Sequence, residues 1–262
     1  MIYKEIILKV EEQIGILTLN RPEQRNAITA NMYNNELPGV FEEIRRSDGI
    51  RVIILTGAGH AFCAGGDISA LNDLEVTDIP MHLRLAPTGF FIKGLYAMEK
   101  PVIAAINGAA VGAGLSLAVA SDFRIASQEA RFGAVFIQRG MMPDCGLTYT
   151  LPQTIGVSKA LRLMLLGEVI DAAEAERIGL VDEVVPPEDL LPVSLELAAK
   201  LTKLPPIAIG LVKQAVYRSL MHDLSAQLNF ETYGQNLLFG TEDFKEGLDS
   251  FLEKRDSIFK GR

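Results

Sequence analysis

Residues 101–124 read PVIAAINGAAVGAGLSLAVASDFR. Val102 through Ile106 form an uncharged apolar run of strand length, Asn107-Gly108 and Gly112-Ala113-Gly114 supply turn chemistry, and residues 115–120 continue as an apolar helix. A strand that empties through a glycine turn into a helix leaves backbone N–H groups unpaired in the first turn. It also points the positive end of the helix outward. A phosphate and an oxyanion both suit such an end. Glycines that only let a helix pack closely on a sheet produce the same pattern, so the rest of the chain has to discriminate.

The chain has 262 residues, 48% of them hydrophobic, enough for one large domain or one domain with an appendage. A net charge of −8 argues against nucleic acid as a partner and fits a soluble cytoplasmic protein. Cys63 and Cys145 make neither a disulfide framework nor a metal spacing, so no metal is expected; no permanently bound cofactor is expected either. The first residues, MIYKEIILKVEE, alternate with charge and lack the apolar core of a signal peptide. Asn107 and several glycines interrupt the apolar run over 102–120, so no membrane insertion is expected.

Outward from the opening stretch, residues 6–10 and 14–19 alternate around Glu11-Glu12-Gln13 and predict an antiparallel hairpin. Thr29 is a plausible cap for a helix over 30–46, in which Pro38 predicts a kink or break. Residues 52–55 are an apolar strand. A second strand, turn and helix start follows in Phe62-Cys63-Ala64-Gly65-Gly66-Asp67-Ile68. Residues 71–87 show little period and read as a loop or broken helix over a site. Residues 90–98 read as helix, 123–126 and 130–132 as strands, and 140–146 as a loop. Further helices are expected over 151–155, 158–166 and 172–178, and a last strand over 181–185. From 188 onward the chain reads as helical, broken at Pro205-Pro206. The fold class is therefore α/β to about residue 190, followed by a helical region over 191–262.

Two glycine turns at helix starts, with Asn20-Arg21-Pro22-Glu23-Gln24-Arg25-Asn26-Ala27 upstream, closely resemble the crotonase (enoyl-CoA hydratase/isomerase) superfamily. Ser121-Asp122, Arg131-Phe132-Gly133 and Phe251-Leu252-Glu253-Lys254-Arg255 continue the match in order along the chain. The resemblance implies a spiral of ββα units over 1–190 carrying the coenzyme A and oxyanion site, with a C-terminal helical region that packs homotrimers or hexamers. It implies an acyl-CoA thioester as substrate, its carbonyl polarised by the backbone N–H groups of Gly66 and Ala113. One such donor is commonly worth ~3 kcal/mol of transition-state stabilisation. It also places Arg25 and Ala27 near the coenzyme A phosphates and pantetheine, and Ala64, Asp67 and Ile68 on the adenine side. Phe251 and Lys254 match a C-terminal pair that reaches the nucleotide of a neighbouring subunit. Solvated charge is the plain alternative for Arg25 and Lys254, and helix capping for Asp67.

Hydratases of the superfamily carry two glutamates, one after the glycine turn and one after the next Phe-Gly. Those positions hold Ser116 and Phe136 here. Adding water across a double bond needs a base for the water and an acid for carbon, so ordinary hydratase chemistry is not expected. Asp144 remains, in Gly140-Met141-Met142-Pro143-Asp144-Cys145-Gly146, among apolar neighbours that should desolvate it and raise its pKa. Single-acid isomerases of the superfamily, including the ring-opening epoxyphenylacetyl-CoA type, carry an aspartate after proline in a similar loop. The expected activity is double-bond migration with Asp144 as acid/base, near Phe136. The alternatives are a hydratase with another base, an aspartate-nucleophile hydrolase or dehalogenase, and a non-catalytic acyl-CoA-binding protein. For Asp144 itself the plain alternative is capping of a helix over 147–151. Asp73, Glu75, Asp78 and His82 in the variable stretch are minor candidates.

Overall fold

The computed structural model describes residues 3–67 and 90–262. Strands β1 (Ile6–Glu11) and β2 (Ile14–Leu19) form the expected hairpin, with Ile6 opposite Leu19. Glu12 and Gln13 turn it in the left-handed conformation, at φ 47° and 69°, the twist that suits a two-residue hairpin loop. β2 then pairs in parallel with β3 (Val52–Gly57), β3 with β5 (Val102–Ile106), β5 with β7 (Phe123–Ser127), and β7 with β10 (Glu183–Val185). The result is a six-stranded sheet ordered β1-β2-β3-β5-β7-β10.

A second sheet, ordered β4-β6-β8-β9, takes up the short strands β4 (Ala61–Cys63), β6 (Ala109–Val111), β8 (Arg131–Gly133) and β9 (Val169–Asp171). Each pair β3/β4, β5/β6 and β7/β8 thus gives one strand to each sheet before the chain moves on, which is the repeat of a ββα spiral. The long strands are apolar without alternation because both faces are covered. On β5, Val102, Ala104 and Ile106 face the main core, while Ile103 and Ala105 join Val52, Ile54 and Ile125 on the other face. Leu190 and Ala198 of a C-terminal helix cover that second face.

Thr29 caps its helix as expected, its Oγ1 accepting from the Met32 N–H at 3.0 Å. The helical run from Ala30 to Arg46 is not broken, but it is irregular ahead of Pro38: a π-helical turn over Met32–Glu36 leads into α1 (Leu37–Arg46), whose second residue is Pro38. Next come α2 (Phe90–Tyr96) and α3 (Ala113–Val119). Helix α4 (Leu147–Ile155) joins the stretches 147–151 and 151–155, and Pro152 lies inside it. It is followed by α5 (Val157–Leu166) and α6 (Ala172–Arg177). The C-terminal region is helical as expected: α7 (Leu190–Thr202), α8 (Pro206–Ser219), α9 (Leu224–Phe239) and α10 (Glu242–Glu253). No helix among the described residues is long and apolar enough to cross a membrane.

Candidate active site

The two glycine turns meet. Gly112 precedes α3 at φ 56°, ψ −126°, a conformation that strongly favours glycine. A Cβ built there would lie 3.6 Å from the Gly65 Cα, and one built on Gly65, at φ 97°, would lie 3.6 Å from the Ala113 nitrogen. The turn after β4 and the turn after β6 therefore touch across the second sheet, where β4 and β6 are parallel neighbours.

Ala113 is the first residue of α3, so its N–H has no partner within the helix. Being helical, it has negative φ, and alanine serves there as well as glycine. Gly66 forms a parallel bridge with Ile28 in which Ile28 N–H donates to Gly65 O (2.8 Å) and Asp67 N–H to Ile28 O (2.9 Å). The Gly66 N–H takes no part in that pattern and donates to no acceptor among the described residues. A Cβ on Gly66 would meet nothing among the described residues within 4 Å. Two N–H groups without a backbone acceptor among the described residues, one of them at a helix N-terminus, thus stand on adjoining turns. An oxygen that gains negative charge there meets dipoles already oriented.

The loop carrying Arg25 and Ala27 is stitched to the first turn. Ala64 N–H donates to Arg25 O at 2.9 Å. Asn26, fully buried and left-handed at φ 57°, donates its amide to Ala58 O (2.9 Å) and Ala61 O (2.7 Å). Arg21 donates to Ala27 O (2.6 Å) and to Asp67 Oδ2 (2.9 Å). Arg25, Ala27, Ala64 and Asp67 are thus neighbours, and the Arg25 side chain is exposed. Asp67 holds Arg21, an anchoring role the sequence did not indicate. Ile68, Asp73, Glu75, Asp78 and His82 lie outside the described residues.

Asp144 stands beside α3. The buried Ser116, one turn into that helix, donates its hydroxyl toward the Asp144 carbonyl at 3.3 Å and the Gly112 carbonyl at 3.4 Å. Phe136 is buried on the 3-10 turn Val135–Arg139, its Cζ 3.9 Å from where a Gly112 Cβ would lie. The positions that hold glutamates in hydratases are therefore both at this site, and neither carries a charge. Asp144 does not cap α4 with its side chain. The N-cap is Gly146, and Asp144 supplies only its carbonyl to Leu147 N–H.

The Asp144 side chain lies at the surface of the single chain, not in the apolar interior its neighbours imply: Met141 and Met142 are themselves exposed. Even so, the protein crowded against it strips enough water from the carboxyl to raise its pKa above the ordinary value, against hydrogen bonds from Cys145 and its own backbone. Cys145 is left-handed at φ 52°, an arrangement worth roughly 1–2 kcal/mol of strain in a residue with a Cβ. Its sulfur is 3.4 Å from the Tyr33 hydroxyl. Nothing in the sequence tied Tyr33 to this loop, 112 residues away.

Phe251 and Lys254 stand at the end of α10. Phe251 is 81% exposed and Lys254 is the left-handed C-cap, so within one chain they face solvent. Among the described residues no group of three or more metal-ligating side chains occurs. A cavity of about 800 Å3 opens elsewhere, at the far end of α3 between Val119, Thr150, Val212 and Tyr217, and includes none of the site residues.

A model of the enoyl-CoA hydratase/isomerase family matches residues 9–262. The chain is 37% identical over 260 residues to the 1,2-epoxyphenylacetyl-CoA isomerase of Escherichia coli, covering 98% of each. It is also 37% identical over 260 residues to the crotonyl-CoA hydratase of Syntrophomonas wolfei, covering 99% of each. Among solved structures, an enoyl-CoA hydratase subunit from Geobacillus kaustophilus superposes with a TM-score of 0.91 at 37% identity, over 99% of both chains.

Proposed function

The chain belongs to the enoyl-CoA hydratase/isomerase family, the crotonase superfamily, and from that premise we propose that it is an enoyl-CoA isomerase using Asp144 as its single acid/base. The thioester oxygen accepts from the N–H groups of Gly66 and Ala113. As the Asp144 carboxylate takes a proton from C2 of a 3-enoyl thioester, the electron pair spreads through the carbonyl to an oxygen already facing both donors. The protonated carboxyl then returns its proton at C4, and the double bond now lies between C2 and C3. A carboxyl with a raised pKa suits both halves, because it accepts and releases a proton with little bias.

One observation carries this reading: Asp144 is tied to Ser116, one helical turn beyond Ala113, while Ser116 and Phe136 leave the two hydratase positions without a carboxylate. Coenzyme A lies along Arg25, Ala27, Ala64, Asp67 and Ile68, and Phe251 and Lys254 of a neighbouring subunit close over its nucleotide. Residues 1–190 form the catalytic spiral, and 191–262 supply the contacts of a cytoplasmic homotrimer or a dimer of trimers. Relatives that carry hydratase names favour a second reading, hydration with a base other than the two glutamates.

The test incubates wild type and Asp144→Asn with 3-enoyl-CoA and 2-enoyl-CoA thioesters. The expected loss of isomerisation is about 10²–10⁴-fold, with acyl-CoA binding kept. Isomerisation at the wild-type rate in the variant overturns the assignment. Hydration that survives the substitution points to the second reading, and release of free coenzyme A that disappears with it identifies a nucleophile instead.

A further inference from the structure

Two cations among the described residues hold the left-handed backbone that favours glycine, Arg25 at φ 50° and Lys254 at φ 55°, and both are exposed. Lys254 ends α10, where helices commonly put glycine. A strained position of this kind persists only where its surroundings enforce it, and here they do. The Arg255 N–H donates to Ser250 O at 3.1 Å. Ser250 is buried, and its hydroxyl pairs with that of Ser257 across the turn at 2.6 Å. Residues 258–261 then run back along α10. Glu246 accepts from the Ile258 N–H (2.8 Å) and from both terminal nitrogens of Arg255 (2.6 and 2.9 Å). One turn earlier Asp243, 5% exposed, accepts from the N–H groups of Lys260 (2.6 Å) and Gly261 (2.8 Å).

The same segment is fastened to the rest of the chain. Arg51, ahead of β3, donates to Phe259 O (2.8 Å) and to Thr202 O at the end of α7 (2.9 Å). Gly261, at φ 80°, approaches α8 so closely that a Cβ there would lie 2.8 Å from the Pro206 Cγ. We propose that Asp243 and Glu246 are positioning residues for Lys254: they bind residues 255–261 as a strap along α10, and the strap holds the Lys254 ammonium where the anionic nucleotide of coenzyme A meets it on a neighbouring subunit. The proposal rests on the reading of Lys254 as a nucleotide-binding residue.

The charges on the turn fit this role. The Arg255 guanidinium is taken up by Glu246 and, through Nε, by Glu253 at 2.6 Å. The Lys254 side chain has no hydrogen-bond or ion-pair partner among the described residues, so it is the cation left for a ligand. Holding it in place before the ligand arrives lowers the ordering cost of binding. If the two carboxylates acted on the nucleotide only through their charge, the sign would be the opposite. Their removal would leave less repulsion and an unpaired Arg255, and an anion would bind more tightly. Loss of the strap weakens binding instead.

Calorimetry compares the binding of an acyl-CoA with that of the corresponding acyl-pantetheine, which lacks the nucleotide. The ratio of the two dissociation constants is the readout, because general damage to the fold weakens both and leaves the ratio. Lys254→Ala should shrink the preference for acyl-CoA by roughly two- to fivefold. An unchanged ratio there means that the nucleotide reading of Lys254 has failed, and the proposal falls with it. Given that loss, Asp243→Ala and Glu246→Ala should each shrink the preference as well, and adding Lys254→Ala to either should cost little more. A ratio kept or raised in either carboxylate variant overturns the proposal while the Lys254 reading stands, and so does full additivity with Lys254→Ala. Should a carboxylate variant fail to fold, Gly261→Ala decides. It alters no charge and pushes the strap off Pro206, so the preference should again shrink, and a wild-type ratio overturns the proposal.

Discussion

Asp144 carries a raised pKa because protein replaces water around its carboxyl, and that has a sign for stability. The folded chain prefers the protonated form, so the contribution of this group is fully present below the unfolded carboxylate value, about 4. It is lost as pH rises through the higher folded value. Asp144→Asn is fixed neutral. It should therefore melt above wild type at pH 8, with the gap closing as pH falls through the carboxylate range. Thermal melts at stepped pH check this, and a constant offset at every pH contradicts it. Of the residues at the site, Ser116 and Phe136 were legible in the sequence because their meaning is positional: they occupy places a family pattern marks. The Asp67–Arg21 pair and the Tyr33–Cys145 contact were not, since each joins segments whose proximity only the folded sheets create.

At the scale of elements, α8 is locked to the sheet by one buried cluster. Asp122, at the entry to β7, accepts from Val102 N–H (2.8 Å), Lys213 Nζ (2.6 Å) and the Tyr217 hydroxyl (2.7 Å). Burial lowers the Lys213 pKa and Asp122 opposes that shift. Removing one member of a buried pair strands the other, so Asp122→Ala should cost about 3–5 kcal/mol. Denaturant unfolding measures it, and a loss under about 1 kcal/mol would mean that Lys213 finds another partner or water. The long strands and capped helices were readable because their signal is local: both-face burial in β3 and β5, Thr29 ahead of α1, the proline pair between α7 and α8. The three-residue strands β6 and β9 were missed. β6 reads as part of a glycine turn and is a strand only because β4 and β8 pair with it on either side. The residues on either side of Pro152 were read as separate helical stretches, 147–151 and 151–155, and the structure joins them into α4 with the proline inside it.

For the whole molecule, the C-terminal helices and the turns that join and follow them leave large apolar side chains in solvent. Met221, Leu224, Phe251, Leu252 and Ile258 are all exposed, a pattern that marks contact surfaces. If Phe251 and Lys254 serve a neighbour's nucleotide site, two crippled chains should repair each other. Arg25→Ala and Lys254→Ala should each weaken acyl-CoA binding. Subunits of the two, mixed and reassembled, should recover part of it, because some sites then pair an intact Arg25 loop with an intact Lys254 from next door. Calorimetric titration of the mixture reads this out. Affinity no better than that of either parent would place both residues in one chain's site or remove Lys254 from it.

The central claim is that two backbone N–H groups and Asp144 together make a thioester enolate. It is tested most directly by incubating the protein with a saturated acyl-CoA in deuterium oxide and following mass gain at C2. The account predicts steady incorporation by wild type and loss of about 10²–10⁴-fold in Asp144→Asn, with the thioester still bound. Exchange that persists in the variant, or its absence from wild type with the ligand bound, would contradict it.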